Sequence, residues 1–140
     1  MKCNIYGALT IIALALIVSV PMAQAQARVR AQVPFGFNLD QKSMRAGSYE
    51  ISSLNNNVLI VRNLDTREGH LLIKSMHVEN SQTPNAKLVF HKHDDQYFLA
   101  QIWDGQSNVG IALSPSKREK ELHAAKRVAP QPEVVIVAMK

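Results

Sequence analysis

Cysteine is almost missing from this chain: Cys3 is the single one in 140 residues. No internal disulfide can form, so an oxidising compartment adds no covalent staple. A lipid-carrying cysteine would follow the apolar leader, and Cys3 precedes it. Past the leader no thiol is left to act as a nucleophile. No serine sits in a G-x-S-x-G elbow, and Ser75 beside His77 is no substitute. No cofactor motif, internal repeat or low-complexity segment occurs. Charge is not strongly one-sided either, at a formal +5. The basic residues gather at Arg28 and Arg30 and at Lys117, Arg118, Lys120, Lys126 and Arg127. Glu119 and Glu121 interrupt the second group, which reads as a solvated face rather than an anion-binding patch. With no recognisable nucleic-acid module, nucleic acid is not an expected partner. These absences argue against an enzyme and predict no cofactor.

The first 25 residues are informative. Lys2 supplies a positive start, Ile5 to Val20 is apolar apart from Gly7, Thr10 and Ser19, and Pro21 ends the run before Ala23-Gln24-Ala25. That is the pattern of a cleaved secretory signal peptide. The apolar run is shorter than the roughly 20 residues a spanning helix needs, and Arg28 and Arg30 follow it, the wrong charge balance for an anchor with its N-terminus inside. The expectation is a signal peptide over 1–25 and one domain over 26–140, exported to the periplasm or the medium, with no transmembrane segment after cleavage. About 115 residues suffice for an independent core.

Period-two alternation dominates the remainder. Val29, Ala31, Val33, Phe35, Phe37 and Leu39 alternate with polar or small residues except at Pro34, predicting a half-buried strand that bends there or lies at an edge. Further strands are expected over Ser48–Leu54, Val58–Arg62, His70–Glu79 and Val109–Leu113, separated by turns at Ala46-Gly47, Asn55–Asn57 and Asp65–Gly69. Lys87–His93 and Gln96–Trp103 flank Asp94-Asp95 as a hairpin, with a register that places His91 opposite Phe98, Phe90 opposite Leu99 and Leu88 opposite Gln101. Ser116-Lys117-Arg118-Glu119 matches a capping box, in which Ser116 accepts from the Glu119 amide and Glu119 reaches back. A helix of about three turns should follow on the surface of the sheet. Val134 to Met139 is an unbroken apolar run and reads as a final strand buried on both faces. The predicted fold is mainly β: an antiparallel sandwich or partly open barrel of seven or eight strands, with one C-terminal helix over about 116–128.

Val33-Pro34-Phe35-Gly36-Phe37, Arg45-Ala46-Gly47-Ser48-Tyr49, and the run Lys87 to His91 and Asp95 to Trp103 together resemble a family of small exported bacterial proteins. Its members read "VPFDF…LPAGEYTV" and "KLVFHRYGDQYFLSQIW". Ser116 to Leu122 resembles that family's "SRAERELA" helix. This chain departs at His93 and Asp94, where the pattern has Tyr and Gly. The resemblance implies one exported β-rich domain and no catalytic site.

Two constellations carry chemistry. His91-x-His93 puts two imidazoles on one strand face, a chelating spacing. His70 would join them if strand 70–79 paired with 87–93. Without a clear third ligand, no metal is assigned, and His91 and His93 stand as candidates. Asp94, Asp95 and Asp104 read as turn formers rather than calcium ligands. Phe90, Tyr97, Phe98 and Trp103 are candidates to line an apolar ligand cavity if the sheet closes into a barrel. The sequence thus favours a non-enzymatic interaction or structural module whose partner is a second copy or another envelope component. The alternative is a carrier or sensor of a small apolar ligand.

Overall fold

The computed structural model describes residues 28–55, 57–74, 76–79, 85–125 and 131–140. The leader reading and the helix's expected end at Arg127 or Val128 fall outside these residues. Among the described residues eleven strands and one helix follow in order: β1 (Arg28–Val33), β2 (Phe37–Leu39), β3 (Lys42–Met44), β4 (Gly47–Asn55), β5 (Val58–Asn63), β6 (Gly69–Ile73), β7 (Met76–Glu79), β8 (Ala86–His93), β9 (Gln96–Asp104), β10 (Val109–Ala112), α1 (Lys117–Ala125) and β11 (Glu133–Ala138). The strand count exceeds the expected seven or eight because the chain breaks long strands into short ones as it turns between sheets.

One sheet has the order β1-β4-β5-β6; the other runs β11-β8-β9-β10-β7, with β2 added beside β9 and β3 beside β2. Pairing is antiparallel except where Asn38 of β2 meets Phe98 of β9. The sheets form a sandwich and do not close into a barrel. At one corner they are tied together. Arg30 and Lys140 exchange backbone hydrogen bonds of 2.8 and 2.9 Å, and Ala31 bridges Met139.

The period-two pattern explains the core. Ala31, Val33, Phe37 and Leu39 are buried on either side of the Pro34 bend. They cluster with Tyr49, Ile51, Leu59, Val61 and Leu72 from the first sheet and with Leu88, Phe90, Leu99 and Ile102 from the second. Phe90 is fully buried and meets Phe35 and Phe37 edge to face at 5.1 and 5.2 Å. Such pairs add to the burial of apolar area.

Three sequence expectations need correction. First, His70–Glu79 is not one strand. The chain pairs β6 with β5 in the first sheet and β7 with β10 in the second, changing sheets between Ile73 and Met76. Second, the hairpin register holds only near its turn. His93 faces Gln96, His91 faces Phe98 and Phe90 faces Leu99, but Val89 then faces Gln101 and Leu88 faces Ile102. Ala100 is the extra residue of a bulge, and its carbonyl accepts from the Leu113 amide at 2.8 Å. The bulge turns Ile102 into the core beside Leu88 and swings Trp103 to the opposite face, beside Lys87. Third, the last strand is not buried on both faces. β11 is a terminal strand paired to β8; Val135 and Val137 pack on the core while Val134 and Ile136 are exposed. The apolar run satisfies one face only, because no layer of described residues covers the other.

The expected two-residue turn forms. Asp94 adopts a left-handed conformation, φ 54°, which lets β8 reverse directly into β9. Asp104 also serves a turn, its carboxylate accepting from the Gln106 amide at 2.9 Å.

Candidate functional site

The site lies on the outer face of the β8–β9 hairpin, where α1 crosses it. Alternation along β8 sends Leu88 and Phe90 into the core and His91 and His93 to the other side. Phe98, opposite His91, shares that outer face. The His93 ring stands edge-on to Phe98, with centroids 5.7 Å apart, and only 6% of the residue is exposed. The hairpin tip is therefore not where His93 meets solvent; the helix roofs it.

Ser116 starts that helix. Its hydroxyl accepts from the Glu119 amide at 3.1 Å, and the Ser116 carbonyl accepts the Lys120 amide at 3.0 Å. One half of the capping box thus forms as expected. The other half does not. The Glu119 carboxylate, on the one buried residue of α1, points down at the two imidazoles. His91 Nδ1 is 3.0 Å from Glu119 Oε1, and His93 Nε2 is 3.4 Å from the same oxygen. The first contact has hydrogen-bond geometry. The second is close enough for an ion pair but is misaligned for a hydrogen bond, so His93 Nε2 is buried with no hydrogen-bond partner among the described residues.

His91, His93 and Glu119 each offer a donor atom, all within 4.8 Å of one another. The cluster lines a cleft of about 360 Å³ together with Pro115, Lys120, His123, Ala124 and Pro132. His123 lies one helical turn beyond Glu119, hence on the same helix face, and its ring centroid is 6.4 Å from that of His93. Arrangements of two imidazoles and a carboxylate can hold a proton between them or coordinate a cation.

The sequence placed His91 and His93 together correctly, but the third member is Glu119, not His70. His70 sits in the other sheet opposite Val61, because β6 pairs with β5 rather than with β8. The capping-box reading concealed Glu119 by giving its carboxylate a local task.

The four aromatic candidates do not line one chamber. Phe90 and Tyr97 belong to the core between the sheets, where Tyr97 stacks on Phe35 at 4.0 Å. Phe98 and Trp103 lie on the outer face. Trp103 donates to Gln101 Oε1 at 3.0 Å, carries the Lys87 ammonium 5.3 Å above its ring, and sits against Gly110. The basic groups are partly engaged: Arg30 pairs with Glu50 at 3.2 Å, and Arg118 donates to Gln96 at 2.8 Å.

Among the described residues no helix is long and apolar enough to cross a membrane. Comparison with protein-family models, with curated proteins and with solved structures found no match.

Proposed function

We propose that this chain is an exported, non-enzymatic interaction module of the cell envelope or the medium. Its partner is an extended segment of a second copy or of another envelope component. The observation that carries this reading is apolar exposure where both sheets end. β6 terminates one sheet and β7 the other, and across this stretch Leu71, Ile73 and Met76 are 61%, 76% and 65% exposed. Soluble proteins usually protect such edges with charge, proline or a covering element. An apolar edge that no further described strand pairs, as at Leu71 and Met76, is a template for strand addition by a partner. The same strand forms one wall of a cleft whose other side includes Phe98, Ser116 and Glu119. A carrier would need a lined interior, and the aromatic candidates divide between two faces.

Native mass spectrometry of the protein recovered from its own host tests this. The expected result is a complex, with itself or with one envelope protein, that is lost in the Leu71→Lys, Met76→Lys double variant while circular dichroism stays unchanged. A monomer with a retained apolar small molecule would overturn it in favour of the carrier. So would a complex indifferent to the double variant.

A further inference from the structure

The geometry points to a divalent transition-metal site of the zinc class, held by His91, His93 and Glu119. A buried imidazole nitrogen without a partner forfeits its hydration and gains nothing in return, and native structures rarely leave such groups unexplained. His93 Nε2 is such an atom. It is aimed at a carboxylate that is itself buried, on the one buried residue of α1. Burying a carboxylate is unfavourable unless it is paired or coordinates a cation. The His91 hydrogen bond satisfies part of Glu119, and no described residue gives His93 Nε2 a hydrogen bond. One ion among the three side chains would supply what each lacks.

Distances agree. In a tetrahedral site with bonds of 2.0–2.2 Å, neighbouring donor atoms lie about 3.3 Å apart. Glu119 Oε1 is 3.0 Å from His91 Nδ1 and 3.4 Å from His93 Nε2, and the whole set falls within 4.8 Å. Small side-chain adjustments close the remaining gap. The supports are ordered: two ligands come from the paired, turn-proximal end of β8, and the third follows the Ser116 cap.

The donor set selects the ion. Two imidazoles and one carboxylate suit zinc and its first-row neighbours, whereas calcium and magnesium want mostly oxygen. Three protein ligands leave a fourth position facing the cleft. His123, on the same helix face with its ring centroid 6.4 Å from that of His93, would have to swing inward to fill it, and water is the alternative occupant. The site shares Glu119 with the cleft beside β6, but one test reads metal binding and the other complex formation, so either reading can fail without the other.

The test uses the full domain without a histidine tag, stripped with chelator and dialysed. Zn(II) is titrated against a chromophoric competitor, and Co(II) serves as the visible-spectrum probe. The expected result is one ion per chain, a tetrahedral Co(II) spectrum and a higher Tm with Zn(II). Glu119→Gln, which keeps the side chain's size, should weaken Zn(II) binding by about a hundredfold or more and abolish the Tm response. His93→Ala should do the same, and Glu119→Gln alone decides if His93→Ala fails to fold. Absence of stoichiometric binding would overturn the proposal. So would binding that Glu119→Gln leaves unchanged, which would place the ion elsewhere, for example at His70 or His77.

Discussion

Replacing His93 by leucine should make the metal-free protein more stable, although it removes a buried contact residue. The two side chains are similar in volume, so neither a large cavity nor gross overpacking results. The gain comes from the unpartnered Nε2, since leaving a buried polar atom unsatisfied costs about 1–3 kcal/mol. Against this stands the loss of the edge-on contact with Phe98 at 5.7 Å, worth about 0.5–1.5 kcal/mol. Glu119 keeps its 3.0 Å hydrogen bond with His91, so its carboxylate is not stranded. The balance favours the variant by about 1 kcal/mol, or roughly 4 °C in Tm for a domain of this size. Urea and thermal unfolding in chelator, followed by circular dichroism, measure it. With Zn(II) in excess the order should reverse, because only the wild type gains binding energy. A His93→Leu variant destabilised by more than about 1 kcal/mol in chelator would refute the reasoning. His93 would then be a satisfied structural residue.

Two further outcomes test the packing and the ionisation of the core. A Cβ on Gly110 would lie 2.5 Å from the Trp103 ring, so Gly110→Ala should cost about 1–3 kcal/mol and shift the indole fluorescence, as denaturant titration would reveal. Burial first, reinforced by the nearby Asp65 and Glu68 charges and opposed by a hydrogen bond from Asn63, pushes the Tyr49 phenol above its ordinary value of 10.0. The unfolded chain therefore gives up this proton before the folded one does. The Tyr49 contribution should be fully present below about pH 10 and lost as pH rises through the higher folded value. Tyr49→Phe forfeits the 2.5 Å hydrogen bond to the Arg45 carbonyl, about 1 kcal/mol at neutral pH, and should show a shallower alkaline decline in unfolding free energy.

Much of the fold was legible because its signals are local. Alternation from Val29 to Leu39, the Asp94-Asp95 reversal and the Ser116 cap each depend on a few neighbouring residues, and each forms. What was not legible depends on distant chain. The bulge at Ala100 answers to Leu113 and to the need to bury Ile102 beside Leu88. The break between Ile73 and Met76 reflects a change of sheet that no period-two count contains. The exposure of Val134 and Ile136 follows from the lack of any described layer over that face of β11.

The site divides in the same way. His91 and His93 share a face by alternation alone, and Ser116 announces where the helix begins. That Glu119 turns toward the imidazoles, and not back to its cap, is set by how α1 crosses the hairpin, a tertiary matter. One signal was available: a capping-box glutamate on a helix whose apolar stripe is thin. Such a helix docks through whatever else its inner face carries.

Anomalous X-ray diffraction at the zinc absorption edge, from crystals of the full domain grown with Zn(II), addresses the metal site most directly. One strong peak per chain is expected within bonding distance of His93 Nε2 and of the Glu119 carboxylate, with His91 completing the protein ligands. An empty cluster with His93 still unpartnered, or zinc bound only at other histidines, would contradict it.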